Sequence, residues 1–194
     1  EINRHGGPPM TTVSDAVANV DGHHHGAKLE CPSVHPGLMA VALPWEGAAQ
    51  HKADMARARH VAMVLVLTRD RDAGSVEQGP GGNARVRYWV SPHDARSVVE
   101  GTKAAARVLV AAGARQVATL QVGVPRYTVD EAGVASPAFA AWLDGVERAG
   151  VHLNRTGVFS AHQMGTCRMG RTQDTSVVRG TGPRMGEVWD TDGL

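Results

Sequence analysis

Cysteine is scarce in this sequence. The two present in 194 residues, Cys31 and Cys167, lie far apart and form no CxxC pair. That argues against a disulfide framework and fits a reducing compartment, with the cytoplasm as the expectation and peripheral membrane association left open. Net charge is nearly absent as well. Twenty Lys and Arg face nineteen Asp and Glu, leaving +1, and the arginines are scattered rather than gathered into a stripe. The balance gives no electrostatic case for nucleic acid or an anionic membrane as partner. No apolar run approaches the roughly 18 residues that a membrane-spanning helix requires, and no charged-then-apolar leader opens the chain, so no signal peptide is visible. There is no GxGxxG after a strand, no Walker loop and no HExxH. A glycine turn that cradles dinucleotide phosphates at a helix N-terminus is therefore not expected here.

What is present reads as ordinary globular protein. Hydrophobic residues make up 42% and charged residues 20%, and a compact chain of this size buries roughly 70% of its unfolded surface. The chain opens on Glu1-Ile-Asn3 without Met and stops on Trp189-Asp-Thr-Asp-Gly-Leu194, a turn leading toward something apolar. The expectation is a fragment cut short at its C-terminal end.

Residues 1–26 are rich in Gly, Pro and His without a sustained period and predict a loop-rich opening segment; residues 27–194 predict one domain. Ala27–Cys31 suggests a short strand before Pro32. Leu38–Leu43 is ambiguous between strand and buried helix, and Gly47–His60 has helix propensity. Val61–Leu67 is apolar on both faces and predicts a central strand. Thr68–Gly74 is turn chemistry. Two strands are expected near Ser75–Gln78 and Arg85–Val90.

The clearest element is a helix capped by Ser91, with Pro92 in its first turn, Asp94 at the positive end of its dipole and Gly113 as its stop. Its apolar stripe is Ala95, Val98, Val99, Thr102, Ala106 and Leu109, with Glu100, Lys103 and Arg107 toward solvent. A strand over Arg115–Leu120, a loop over Gly123–Gly133, and a second capped helix from Ser136-Pro137 to Gly150 follow. A short strand over Gly157–Ala161 feeds His162, and Glu187–Trp189 is a last short strand. The elements do not alternate as in a doubly wound sheet. The expected fold class is α+β, a mostly antiparallel sheet backed by helices.

Two groups of side chains invite chemistry. His23-His-His25 suggests a metal, but adjacent side chains diverge in any regular backbone. A solvated loop is the preferred reading even with His35, His51 and His60 nearby, and no metal site is expected. His162 and Cys167 suggest a base and a nucleophile, yet such pairs come from distant segments. Taken by residue type alone, His162 reads as a structural histidine at a strand end.

The longer string changes that reading. Ala161-His-Gln-Met-Gly-Thr-Cys-Arg-Met-Gly170 resembles the His-x-x-Gly-Thr-Cys-x-Met-Gly segment of glucose–methanol–choline (GMC) oxidoreductases, several residue types at fixed spacing. Tyr88-Trp-Val-Ser-Pro-His-Asp94, the helix after it and Ala111-Ala-Gly-Ala114 resemble the same family's upstream segment. Gly26-Ala-Lys-Leu-Glu30, His35-Pro-Gly-Leu38 and Thr68-Arg-Asp-Arg-Asp72 resemble its long-chain alcohol oxidase branch. Gly186–Leu194 resembles the approach to its closing flavin-contact strand. The likeness covers most of the chain and is weak over the first 25 residues.

The resemblance implies the substrate-side domain of an FAD-dependent alcohol oxidoreductase whose dinucleotide-binding portion lies outside this chain. It implies a primary, long-chain or apolar alcohol as substrate, His162 as the base that takes the alcohol proton, and a second His or Asn beyond Leu194. Gly165, Thr166 and Cys167 would lie near the flavin, with Cys167 and Met169 packing rather than reacting. This chain alone would bind no FAD of consequence. The alternative is a non-catalytic remnant or interaction module that keeps the fold.

Overall fold

A computed structural model describes residues 10, 12–33, 35–162 and 164–191. In chain order its elements are β1 (Val13–Val17), β2 (Ala27–Glu30), α1 (Pro36–Ala42), α2 (Ala48–Ala56), β3 (Leu65–Thr68), β4 (Ser75–Gln78), β5 (Ala84–Arg87), α3 (Pro92–Ala111), β6 (Gln116–Val117), β7 (Tyr127–Thr128), α4 (Pro137–Ala149), β8 (Met169–Gly170) and β9 (Val178–Arg179). The fold is α+β, and the strand pairs are antiparallel except β8 with β9. Two compact units divide the chain: residues 1–74 with 88–157, and residues 75–87 with 158–194.

The first unit is built on the sheet β1-β2-β3. β1 lies inside the stretch whose composition predicts loop; alternation over five residues is too short to stand out beside so many turn formers. β2 is the central strand, pairing Ala27 with Thr68 and Glu30 with Leu65. β3 is therefore an edge strand among the described residues, and it begins at Leu65 rather than Val61. An apolar run reports burial of both faces, not the number of neighbouring strands. Helix α3 covers the sheet so closely that a Cβ at Gly101 would sit 2.7 Å from Ala27 Cβ and closer still to Val66.

α3 begins as its sequence predicts. Ser91 Oγ accepts from Asp94 N, with Pro92 in the first turn. Its deepest face is shifted from the expected stripe. Val99 and Ala106 are buried as expected, but the other buried positions are Asp94, Ser97, Gly101, Ala105 and Val110. Small side chains let helix and sheet approach, so the closest-packed face is not the most apolar one. Lys103, expected toward solvent, is mostly covered and bridges Glu100 of its own helix and Glu147 of α4, at 3.1 and 2.7 Å.

The main apolar cluster joins α3, α4 and β6: Ala106, Val110, Val117, Phe139, Trp142, Leu143 and Val146. Trp142 donates its indole N–H to Pro125 O at 2.7 Å, which satisfies its polar atom. Ser136 caps α4 through Ala138 N and Phe139 N, and Gly150 ends it at φ +56°. Such burial stabilises by about 25 cal/mol per Å² of apolar surface.

Other expectations shift in detail. Leu38–Leu43 resolves as helix, because His35 Nδ1 accepts from Gly37 N and Pro36 opens the turn. α2 ends at Ala56, and a 3-10 turn, Ala58–His60, follows. The strand expected over Arg115–Leu120 shortens to β6, and its partner β7 lies in the stretch expected to be loop. Gly157–Ala161 is not a strand. Thr156 makes a single antiparallel bridge to Gln121, and no ladder continues from it.

In the second unit, β4 and β5 form a hairpin around a glycine-rich turn with Gly81 at φ +72°. β8 and β9 pair in parallel, and Glu187–Trp189 contributes only the bridge from Val188 to Val178. Both cysteines are free and exposed.

Candidate functional site

The segment from Phe159 to Gly170 belongs to the second unit. Backbone bonds anchor its far end. Val177 N and Val178 N donate to Arg168 O at 3.0 and 3.2 Å, and Gly180 N donates to Gly170 O at 2.7 Å. Arg168 Nε donates to Thr175 O at 2.7 Å. Gly170 is required by packing: a Cβ there would lie 2.6 Å from Ser176 Cβ. Ser176 in turn donates to Thr172 O at 2.6 Å and accepts from the Trp189 indole at 2.9 Å. The Arg179 guanidinium lies over the Trp189 ring at 4.1 Å, a cation–π contact that steadies this corner.

The residues singled out in the sequence sit just before this anchored corner. Among the described residues, His162, Gly165, Thr166 and Cys167 are exposed, and Met164 is 86% exposed. Gln163 lies outside the described residues. Gly165 adopts φ +104° with open space where a Cβ would stand, so its need for glycine is conformational and not steric. The structure brings the four together by sequence proximity in an uncovered loop, with no strand in front of His162. The arrangement offers an imidazole, a hydroxyl, a thiol and a thioether to whatever covers it.

A second cluster escaped the sequence reading altogether. Asp94, 1% exposed, does more than favour the helix dipole. It accepts from Arg71 N at 2.9 Å, Asp72 N at 3.1 Å and Ser91 Oγ at 2.9 Å, so it clamps the 68–74 turn to the start of α3. Burial alone would raise its pKa. The N–H groups of Arg71 and Asp72, with His93 and Ser91, outweigh burial and hold it below the ordinary carboxylate range. The signal available was the turn run Thr68-Arg-Asp-Arg-Asp72 beside Ser-Pro-His-Asp94, but its pairing is non-local.

The GMC oxidoreductase family model matches residues 70–194, which include the whole His162–Gly170 segment. The chain belongs to the GMC oxidoreductase family. Relatives include two long-chain-alcohol oxidases of Arabidopsis thaliana. FAO1 is 32% identical over 95% of this chain and 24% of its own length. FAO3 is 30% identical over 99% of the chain and 25% of its own length. The chain thus spans about a quarter of the curated relatives it matches. No solved structure matches it. Among the described residues, no helix is long and apolar enough to cross a membrane.

Proposed function

We propose that residues 27–194 are the substrate-side portion of a flavin-dependent alcohol oxidase or dehydrogenase acting on long-chain primary alcohols, with His162 as the general base. The observation that carries this reading is the family match across the His162–Gly170 segment, joined to relatives that are named long-chain-alcohol oxidases. The reading includes a compartment, the cytoplasm.

The GMC family is FAD-dependent in general, and bound FAD supplies the acceptor for the hydride that leaves the alcohol carbon. In this proposal His162 accepts the hydroxyl proton, since an alcohol becomes a competent hydride donor only as it approaches the alkoxide. An imidazole titrates near neutrality and can both take and release that proton. Gly165, Thr166 and Cys167 would lie against the ring, Gly165 letting the backbone turn close beside it. Cys167 would pack and not react. Exposed Phe159, Met164 and Met169 in the same stretch of chain support the reading, because exposed apolar side chains are available to a cofactor or substrate. The dinucleotide phosphates would be held by a portion of the protein other than this chain.

The test is His162→Ala in the complete flavin-loaded protein, read by anaerobic stopped-flow reduction of the flavin by a long-chain alcohol. The expected loss is about 10²–10⁴ in rate with flavin still bound, partly recovered at higher pH. A rate within about threefold of the parent would make His162 structural and leave the general-base reading without support.

A further inference from the structure

We propose that Asp21, His25 and His93 form a binding site for a late first-row divalent ion, zinc above all, that fastens the 19–25 loop to the first turn of α3. The three side chains offer one donor atom each, all within 4.8 Å of one another. Asp21 Oδ2 lies 2.7 Å from His25 Nδ1 and 3.1 Å from His93 Nε2. These side chains are only 17%, 18% and 10% exposed. In a tetrahedral zinc site, bonds of about 2.0–2.2 Å place neighbouring donors roughly 3.3 Å apart. Side-chain adjustments of a few tenths of an ångström to about 1.5 Å would therefore admit the ion.

The loop is built to present these atoms. His23 N and His25 N both donate to Asp21 Oδ1, at 2.8 and 3.1 Å, so Oδ2 is the oxygen left to face the rings. His24 N bonds Asn19 Oδ1, and Val20 N bonds His25 O. His23 and His24 point to solvent while His25 turns inward. His25 and His93 meet edge-on at 5.4 Å. Burial opposes ionisation of Asp21, but the His23 N–H and the His25 ring and N–H outweigh it and hold its carboxyl well below the ordinary range.

His93 supplies the deciding detail. Its Nδ1 lies 3.2 Å from buried Asp94 and its Nε2 lies 3.1 Å from Asp21. A neutral imidazole carries one N–H, so it can donate to only one of two carboxylates. With that proton given to Asp94, the Nε2 lone pair is available to an ion that Asp21 Oδ2, 3.1 Å away, can share. A carboxylate behind a ligating histidine is the usual way proteins orient such a ring. Two imidazoles and one carboxylate suit zinc or a neighbouring transition ion, not magnesium or calcium. The fourth position would open to the cleft lined by Val20, Arg96 and Ser97.

Zinc chloride titrated calorimetrically into the tag-free 194-residue chain tests the site. One equivalent is expected, with Kd of about 10 μM or tighter. His25→Ala, His93→Ala and Asp21→Asn should each weaken it at least about tenfold. Replacing the exposed pair, His23→Ala with His24→Ala, should leave it within about threefold. Cobalt should give a visible ligand-field band that the three site variants lose, and circular dichroism without metal identifies variants that stay folded. If His93→Ala fails to fold, His25→Ala and Asp21→Asn decide. Undiminished affinity in those variants, loss of binding in the His23/His24 variant, or no uptake at about 100 μM zinc overturns the proposal.

Discussion

The two units of this chain are held together differently. Every buried apolar side chain among the described residues belongs to the first, from Ala27 and Leu29 in the sheet to Phe139, Trp142 and Val146 in α4. In the second, none of the described residues is buried. That unit relies on backbone bonds around β8 and β9, on the Ser176–Trp189 hydrogen bond and on Arg179 over Trp189. Apolar burial is the main source of folding free energy, so the first unit can support itself in a way the second cannot. The proposed catalytic stretch lies in the second, where side chains remain available to a cofactor and substrate. Loops that carry chemistry are commonly the less stable parts of a fold.

Phe139→Ala is the strongest way to break this contrast. Phe139 is 1% exposed and packs against Trp142 and Tyr127 at ring separations of 6.0 and 5.3 Å. Its truncation should cost about 3–5 kcal/mol, read as a lower denaturant midpoint by tryptophan fluorescence. His162→Ala should leave that midpoint unchanged, because the side chain is exposed. A shift of Phe139→Ala below about 1 kcal/mol would mean that the apolar cluster does not carry the first unit.

Gly101→Ala is a smaller perturbation with competing terms. Alanine is favoured over glycine inside a helix by about 1 kcal/mol, but its methyl would collide with Ala27 and Val66, an overpacking cost of about 1–3 kcal/mol. Net destabilisation is expected, measured by urea unfolding. Net stabilisation would show that α3 can slide on the sheet.

The smallest effect concerns Asp130, which accepts from Ser136, the cap of α4. Ser136 Oγ donates to its carboxylate at 2.5 Å, with Tyr127 Oη and Ala132 N also donating, at 3.3 and 3.1 Å. The Ser136 bond leads in holding its pKa below the ordinary aspartate range; burial works the other way, and Tyr127 and the backbone N–H groups add to the lowering. A depressed folded pKa contributes stability that is fully present above the unfolded value, near pH 4, and is lost as pH falls through the folded value. Tm should therefore fall on acidification below about pH 4, and Asp130→Asn should reduce that slope slightly. An unchanged slope would remove Asp130 from the account of the α4 cap.

Local signals were legible in advance. Ser91-Pro92 and Ser136-Pro137 announce two helix starts, Gly113 and Gly150 their ends, and the His162–Gly170 string the family, because caps and short motifs act over a few residues. The strand expected ahead of His162 does not form, since a strand exists only if a partner lies beside it, and none continues past the Thr156 bridge.

The starts and stops of α3 and α4, the fold class and the family membership follow from local residue patterns alone. Which residues meet depends on the tertiary packing. Gly101 under Val66, Lys103 with Glu147, and Asp21 with His93 are brought together across 35, 44 and 72 residues. Such meetings depend on how α3 packs, and no local preference encodes them.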